Sequence, residues 1–229
     1  KVKFILGSSF QQKKDYIFDL YKIMGLVKLK RAIRASSEVV RQVENPDLGS
    51  INYALMQAID IHHIGADIAY SGIDQRKIYM LAREEVSKLG HKKPICIFTP
   101  LVGLNKTGGK MSASDPNSSI YIDDTPNLVA KKISKAYCPE GIIKDNGIID
   151  LIRHVVFPVD GKFDIVRPEK FGGNKSYSSI SDLENDYSSK KIHPADLKSN
   201  LTIVFNNYLS IVHKHFKNKQ KLIDTAYPK

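Results

Sequence analysis

Apolar side chains recur at helical spacing from about Lys13 to Met24, from about Val27 to Gln42 and from roughly Gly49 to His63, which predicts three helices. Asn45-Pro46-Asp47 interrupts the pattern between the second and the third. Ahead of them, Val2-Lys3-Phe4-Ile5-Leu6 has the make-up of a strand that stops at Gly7-Ser8-Ser9. Ala66 to Tyr70 then reads as a short strand, Asp74 to Leu89 as a helix closed by Gly90, and Pro94 to Phe98 as another apolar strand. Strand, helix and strand with short connections make a parallel crossover unit, the building block of a doubly wound sheet. Ligands of such sheets bind at the carboxyl ends of the strands.

At Asp123-Asp124-Thr125-Pro126 the pattern changes, because Thr125 can cap a helix whose first turn Pro126 can occupy. Helices are expected over Asn127 to Tyr137, Ile148 to Val156, Ser181 to Tyr187 and Pro194 to Phe216, with a hairpin or loop around Phe163 to Asn174. The chain therefore reads as an α/β domain over residues 1–125 and a mainly α-helical domain over 126–229.

Composition narrows the classes. A chain of 229 residues with 42% hydrophobic content can bury a core in two modest domains. It has no apolar run long enough for a membrane helix, and Lys1 to Phe10 lacks the build of a signal peptide, so the expectation is a soluble cytoplasmic protein with no membrane contact. Cys96 and Cys138 stand far apart without a CxxC partner, so neither a disulfide framework nor any protein-held metal is expected. The net charge of +11 is shared by both sides of Thr125. It suits a polyanionic partner that touches both domains, and it serves solubility equally well.

Two patterns carry chemistry. Gly108-Gly109-Lys110-Met111-Ser112-Ala113-Ser114 places an ammonium and small hydroxyls after glycines that let a loop move. Such a loop can bond phosphate oxygens; the plainer alternative is a polar surface loop. On the third helix, Tyr53, Gln57 and Asp60 fall at i, i+4 and i+7 and share one face, and Gln75 lies at the carboxyl end of a strand. A polar stripe of this kind is also what a solvent-facing helix edge looks like.

The loop resembles the KMSKS signature of class I aminoacyl-tRNA synthetases, with Ala113 in place of the usual second lysine. The set Tyr53, Gln57, Asp60 and Gln75 resembles the amino-acid site of tyrosyl-tRNA synthetases of the archaeal and eukaryotic type. The resemblance extends to Phe10-Gln11, Gly72-Ile73-Asp74-Gln75-Arg76-Lys77, Arg167-Pro168-Glu169-Lys170-Phe171-Gly172-Gly173 and His193-Pro194-Ala195-Asp196-Leu197-Lys198. It implies the second half of a Rossmann-like doubly wound parallel sheet followed by a mainly α-helical anticodon-binding domain. The implied activity is ATP-dependent formation of tyrosyl-adenylate and transfer of tyrosine to tRNA(Tyr), with Mg2+ accompanying ATP.

Roles follow from the same likeness. Gly109, Lys110, Met111, Ser112, Ala113 and Ser114 would form the ATP loop, with Lys110, Ser112 and Ser114 acting in catalysis. Tyr53, Gln57 and Gln75 would hold the substrate ammonium, and Asp60 would accept the hydrogen bond of its phenol. Arg34 and Arg76 would meet the tRNA acceptor stem, and Phe171, His193 and Asp196 the anticodon, whose first base is guanine. Asp196 in a first helical turn would also offset the helix dipole without any RNA.

The family's second ATP signature, HIGH, belongs upstream of the tyrosine-site helix and is not found in this chain; His63-Ile64-Gly65-Ala66 lacks its second histidine. The chain is thus expected to be a fragment, a split subunit or an incomplete portion, inactive in adenylate formation by itself. A homodimer is expected through the segment from about Gln12 to Gln42, where Tyr16, Leu20 and Met24 make an apolar face. Tryptophanyl-tRNA synthetase, whose loop is similar to Lys110-Met111-Ser112-Ala113-Ser114-Asp115-Pro116, and a non-catalytic tRNA-binding or signalling fragment are the alternatives.

Overall fold

The apolar repeat after Lys13 folds as α1 (Lys14–Leu26) and α2 (Leu29–Ser36), and α3 (Leu48–His63) begins where the Asp47 carboxylate accepts from the Ser50 backbone. This computed structural model describes residues 2–39, 45–104 and 118–226. It divides into two compact units, Lys1–Pro100 and Leu101–Lys229.

In the first unit β1 (Ile68–Gly72) leads through a tight turn, Ile73–Gln75, into α4 (Arg76–Glu85). A second tight turn ends at Gly90, whose φ of +84° favours glycine, and β2 (Ile95–Thr99) follows. The strands are parallel, with Ile68 opposite Ile95 and Gly72 opposite Thr99, which is the expected crossover unit. α3 packs on α1, α2 and α4, and Tyr16, Ile23, Ile59, Ile78 and Leu81 lie fully inside. Alternation along the strands turns Ala69 towards this core, while Ile68, Tyr70, Ile95 and Ile97 remain exposed.

Two expectations for this unit are corrected. Val2 to Leu6 forms no strand; Val2, Phe4 and Leu6 are exposed, and among the described residues the sheet of this unit pairs only β1 with β2, so the segment has no strand to pair with. The expected apolar face of Tyr16, Leu20 and Met24 is split, because Tyr16 and Leu20 are buried against α3; the exposed apolar side chains of α1 are Phe18, Tyr21, Met24 and Leu26. The second helix also stops earlier than its apolar pattern, where the Ser36 and Ser37 hydroxyls bond back to the carbonyls of Ile33 and Arg34.

The second unit starts its helices with α5 (Pro126–Lys135), capped by Thr125 as expected. α6 (Gly147–Leu151) continues through a wider turn, Ile152–Val156, into α7 (Phe157–Asp160). A short antiparallel hairpin, β3 (Phe163–Ile165) with β4 (Lys175–Tyr177), precedes α8 (Ile180–Ser188) and the long α9 (Pro194–Phe216). α10 (Gln220–Ala226) was not legible in the apolar pattern.

Leu104, 1% exposed, joins this second core, and its backbone bonds Ser118 and Tyr137. The carbonyl of Gly103 lies so close to Gly147 that any Cβ there would overlap it. The buried ion pair of Asp124 with Lys132 (2.6 Å), under the Tyr121 ring, binds the preceding segment to α5. The two compact units therefore part at Pro100, earlier in the chain than the expected boundary at Thr125. Among the described residues no helix is long and apolar enough to cross a membrane.

Candidate functional site

The polar stripe of α3 meets two sets of partners. Gln57 donates through Nε2 to Oε1 of Gln75 at 3.0 Å, which joins the helix to the turn at the carboxyl end of β1. The side-chain amide oxygen of Gln57 is buried with no hydrogen-bond donor, an unmet acceptor within the stripe. Tyr53, one turn earlier, is more than half exposed.

Asp60 is half-buried and accepts from Tyr16 Oη at 2.7 Å and from Gln11 Nε2 at 3.1 and 3.3 Å. Burial, followed by this bond to a carboxylate, pushes the Tyr16 phenol well above its ordinary range, so it stays a donor. A carboxylate has about four lone-pair sites, which leaves capacity for one more phenolic donor. Gln11 and Tyr16 are site residues that the helical stripe did not reveal. Gln11 was visible only within the family-like Phe10-Gln11 pair, and Tyr16 read as an apolar interface residue.

Arg34 and Arg76 are exposed on α2 and α4, two helices held together by Arg31 with Glu84 (2.8 Å) and Lys77 with Glu38 (2.8 Å). Gly109, Lys110, Met111, Ser112, Ala113 and Ser114 lie outside the described residues.

In the second unit, the start of α9 and the turn after β3 form one assembly. His193 Nδ1 accepts from the Ala195 backbone at 3.1 Å, and Asp196 Oδ2 accepts from the His193 backbone at 3.3 Å, a reciprocal cap. The same Asp196 oxygen accepts from Arg167 Nη1 at 3.0 Å. Arg167 also donates to the carbonyls of Gly173 and Lys191, both at 3.0 Å. It thus fixes the turn that presents Phe171, 59% exposed and covered on one side by the Lys170 ammonium. Gly172 is required in that turn: its φ is +100°, and a Cβ would press on the Arg167 guanidinium. Arg167 is a further positioning residue, legible only as part of the Arg167 to Gly173 motif.

The described stripe, the crossover unit and the helical second unit define a class. The chain belongs to the class I tRNA synthetases of tryptophan and tyrosine, whose family model matches residues 1–210. Within that family its likeness is to tyrosine–tRNA ligases. It is 45% identical to that of Natronomonas pharaonis over 99% of this chain and 67% of the relative. With the cytoplasmic enzyme of Xenopus tropicalis it shares 39% identity over 100% of this chain and 43% of the relative. A crystal structure of tyrosyl-tRNA synthetase from Archaeoglobus fulgidus, complexed with L-tyrosine, superimposes with a TM-score of 0.83 at 44% identity, covering 93% of this chain and 66% of that one. The chain thus spans about two thirds or less of the length of these relatives.

Proposed function

We propose that this chain supplies the tyrosine-selecting and tRNA-binding parts of a tyrosine–tRNA ligase, which joins tyrosine to tRNA(Tyr) through tyrosyl-adenylate at the expense of ATP, with Mg2+ accompanying the nucleotide. The observation that carries the reading is the half-buried Asp60 carboxylate, held on α3 by Gln11 and Tyr16 at one end of a stripe whose other end carries the Gln57–Gln75 pair. The stripe matches the two ends of tyrosine: acceptors for an ammonium, and an anionic acceptor for a phenol. Leaving that carboxylate short of a donor penalises phenylalanine more than a lost contact would, and tyrosyl-tRNA synthetases are an established example of such rejection. An indole has no phenol to select, so Asp60 favours tyrosine over tryptophan.

In this reading Lys110, with Ser112 and Ser114, stabilises the pyrophosphate as it leaves, Tyr53 joins the ammonium contacts, and Arg34 and Arg76 meet the acceptor stem. Phe171, His193 and Asp196 meet the anticodon. The enzyme is cytoplasmic and works as a homodimer through the α1–α2 region, where Phe18, Tyr21 and Met24 offer apolar surface.

The test is Asp60→Asn in the full-length protein, with binding of tyrosine, phenylalanine and tryptophan followed by fluorescence. The amide keeps the shape and loses the charge, so preference for tyrosine over phenylalanine should fall about 10- to 100-fold. An unchanged preference in a folded variant would sink the reading.

A further inference from the structure

Beside the Tyr16 ring, three separate segments of the first unit converge. Asp19 comes from α1, His63 is the last residue of α3, and His91 follows the left-handed Gly90. Both imidazole Nε2 atoms point at the same carboxylate oxygen, Asp19 Oδ2, at 3.2 Å from His63 and 2.6 Å from His91. The three ligand atoms all lie within 4.8 Å of one another.

We propose that Asp19, His63 and His91 form a binding site for a divalent transition-metal ion of the zinc type. This departs from the sequence expectation of no protein-held metal, because the three residues are too far apart along the chain to show a ligand spacing. Two imidazoles and a carboxylate are a donor set that such ions take, with water in the fourth position. Ligands about 2.0–2.1 Å from a tetrahedral ion stand about 3.3 Å apart. The Asp19–His63 separation already has that size; His91, 2.6 Å from the carboxylate oxygen, needs to retreat by about 0.7 Å, and the two imidazole nitrogens, within 4.8 Å of each other, need to settle at the same spacing.

The surroundings favour a preset site over three chance neighbours. The His91 ring stacks on His62 at 3.4 Å and 12°, and the His63 ring packs on Tyr16 at 4.8 Å, so both ring planes are held. Side-chain exposure is 9% for Asp19 and 8% for His63, against 15% for His91, so the three lie largely out of water and His91 is the most open of them. Lys22 pairs with the other oxygen, Oδ1, at 3.2 Å, and leaves Oδ2 to ligate. Its own side chain is 59% exposed and can turn into solvent as the ion brings positive charge. Ligation through Nε2 requires each imidazole to carry its ring proton on Nδ1, which leaves the Nε2 lone pair for the ion.

The experiment titrates chelator-treated full-length protein with Co2+ and follows visible absorption, then displaces it with Zn2+, with thermal melts in parallel. One equivalent of Co2+ should give the intense visible bands of a four-coordinate ion, Zn2+ should bleach them, and either metal should raise Tm. His91→Gln, at the open edge where folding is least at risk, should weaken binding by more than about 100-fold and abolish the Tm rise. His63→Ala and Asp19→Asn should do the same wherever circular dichroism shows them folded. His154→Ala, an exposed residue of the second unit, should change neither. Absence of the Co2+ bands in the wild type would overturn the proposal and leave a hydrogen-bonded cluster. Bands that persist in folded His91→Gln would overturn it too, by placing the ion elsewhere.

Discussion

Asp196 shows how one side chain can satisfy two readings. It caps α9 through the His193 backbone and also holds Arg167, which anchors the Phe171 turn. A cap role alone predicts that Asp196→Ala costs about 1 kcal/mol of stability and leaves base preference untouched. If the carboxylate also reads guanine, charging of tRNA(Tyr) over a first-base variant should fall in Asp196→Ala, while tyrosyl-adenylate formation stays at the wild-type rate. Phe171→Ala should weaken tRNA binding by about 1–3 kcal/mol with less change in base preference, since stacking tolerates any base. Aminoacylation of the two tRNAs, with pyrophosphate exchange as control, separates the cases. An unchanged charging ratio in Asp196→Ala would leave only the cap. The sequence displayed the Tyr53, Gln57 and Asp60 stripe because helical period alone sets it on one face. It concealed Gln11, which reaches Asp60 across 49 positions of chain, since no local period encodes such a contact.

At the scale of elements, the legible features were those with local chemical signals. Gly90 ended its turn, Thr125 capped α5, and Pro194 opened α9, because caps act within a few residues. Features that needed a distant partner were missed: the strand expected at Val2 to Leu6, and the inward turn of Tyr16. Asp186 on α8 is another such long-range link, since it accepts from Lys175 and Tyr177 of β4 and from Lys191 beyond the helix. The two lysines, Lys175 first, hold its carboxyl down at about 2, while burial and the bond to Asp186 push the Tyr177 phenol up to about 12. The carboxyl is depressed in the folded state, so its stabilisation is present above the unfolded value of about 3.9 and is lost as pH falls through about 2. Asp186→Asn should therefore cost about 1–2 kcal/mol at neutral pH, discounted for the exposed lysines, with the difference from wild type shrinking between about pH 4 and pH 2. Urea denaturation across that range reads it directly. A constant difference down to pH 2 would show that the carboxylate charge is not what joins hairpin to helix.

For the molecule as a whole, the informative quantity is the charge of +11, spread over both units rather than gathered in one tail. Such a spread serves solubility, and it would equally offer cations to an RNA that touches both units, so salt dependence is what separates the two. Exposed Arg34 and Arg76 lie in the first unit, and exposed Lys170 and half-buried Lys198 in the second. Each phosphate neutralised releases condensed counterions, so affinity for tRNA should fall linearly on a logarithmic salt scale. With on the order of five phosphates engaged, the slope is about −4, and raising salt from about 50 to about 200 mM should weaken binding about 250-fold. Tyrosine is a zwitterion held by short-range contacts, and its affinity should hardly move over the same range. Replacing Lys170 and Lys198 together by Gln should make the tRNA slope shallower by about 2 without changing tyrosine binding. Filter binding of tRNA(Tyr) across the salt series gives the slope for each variant. A slope near zero in the wild type would mean that the excess charge serves solubility and that tRNA is held by other means.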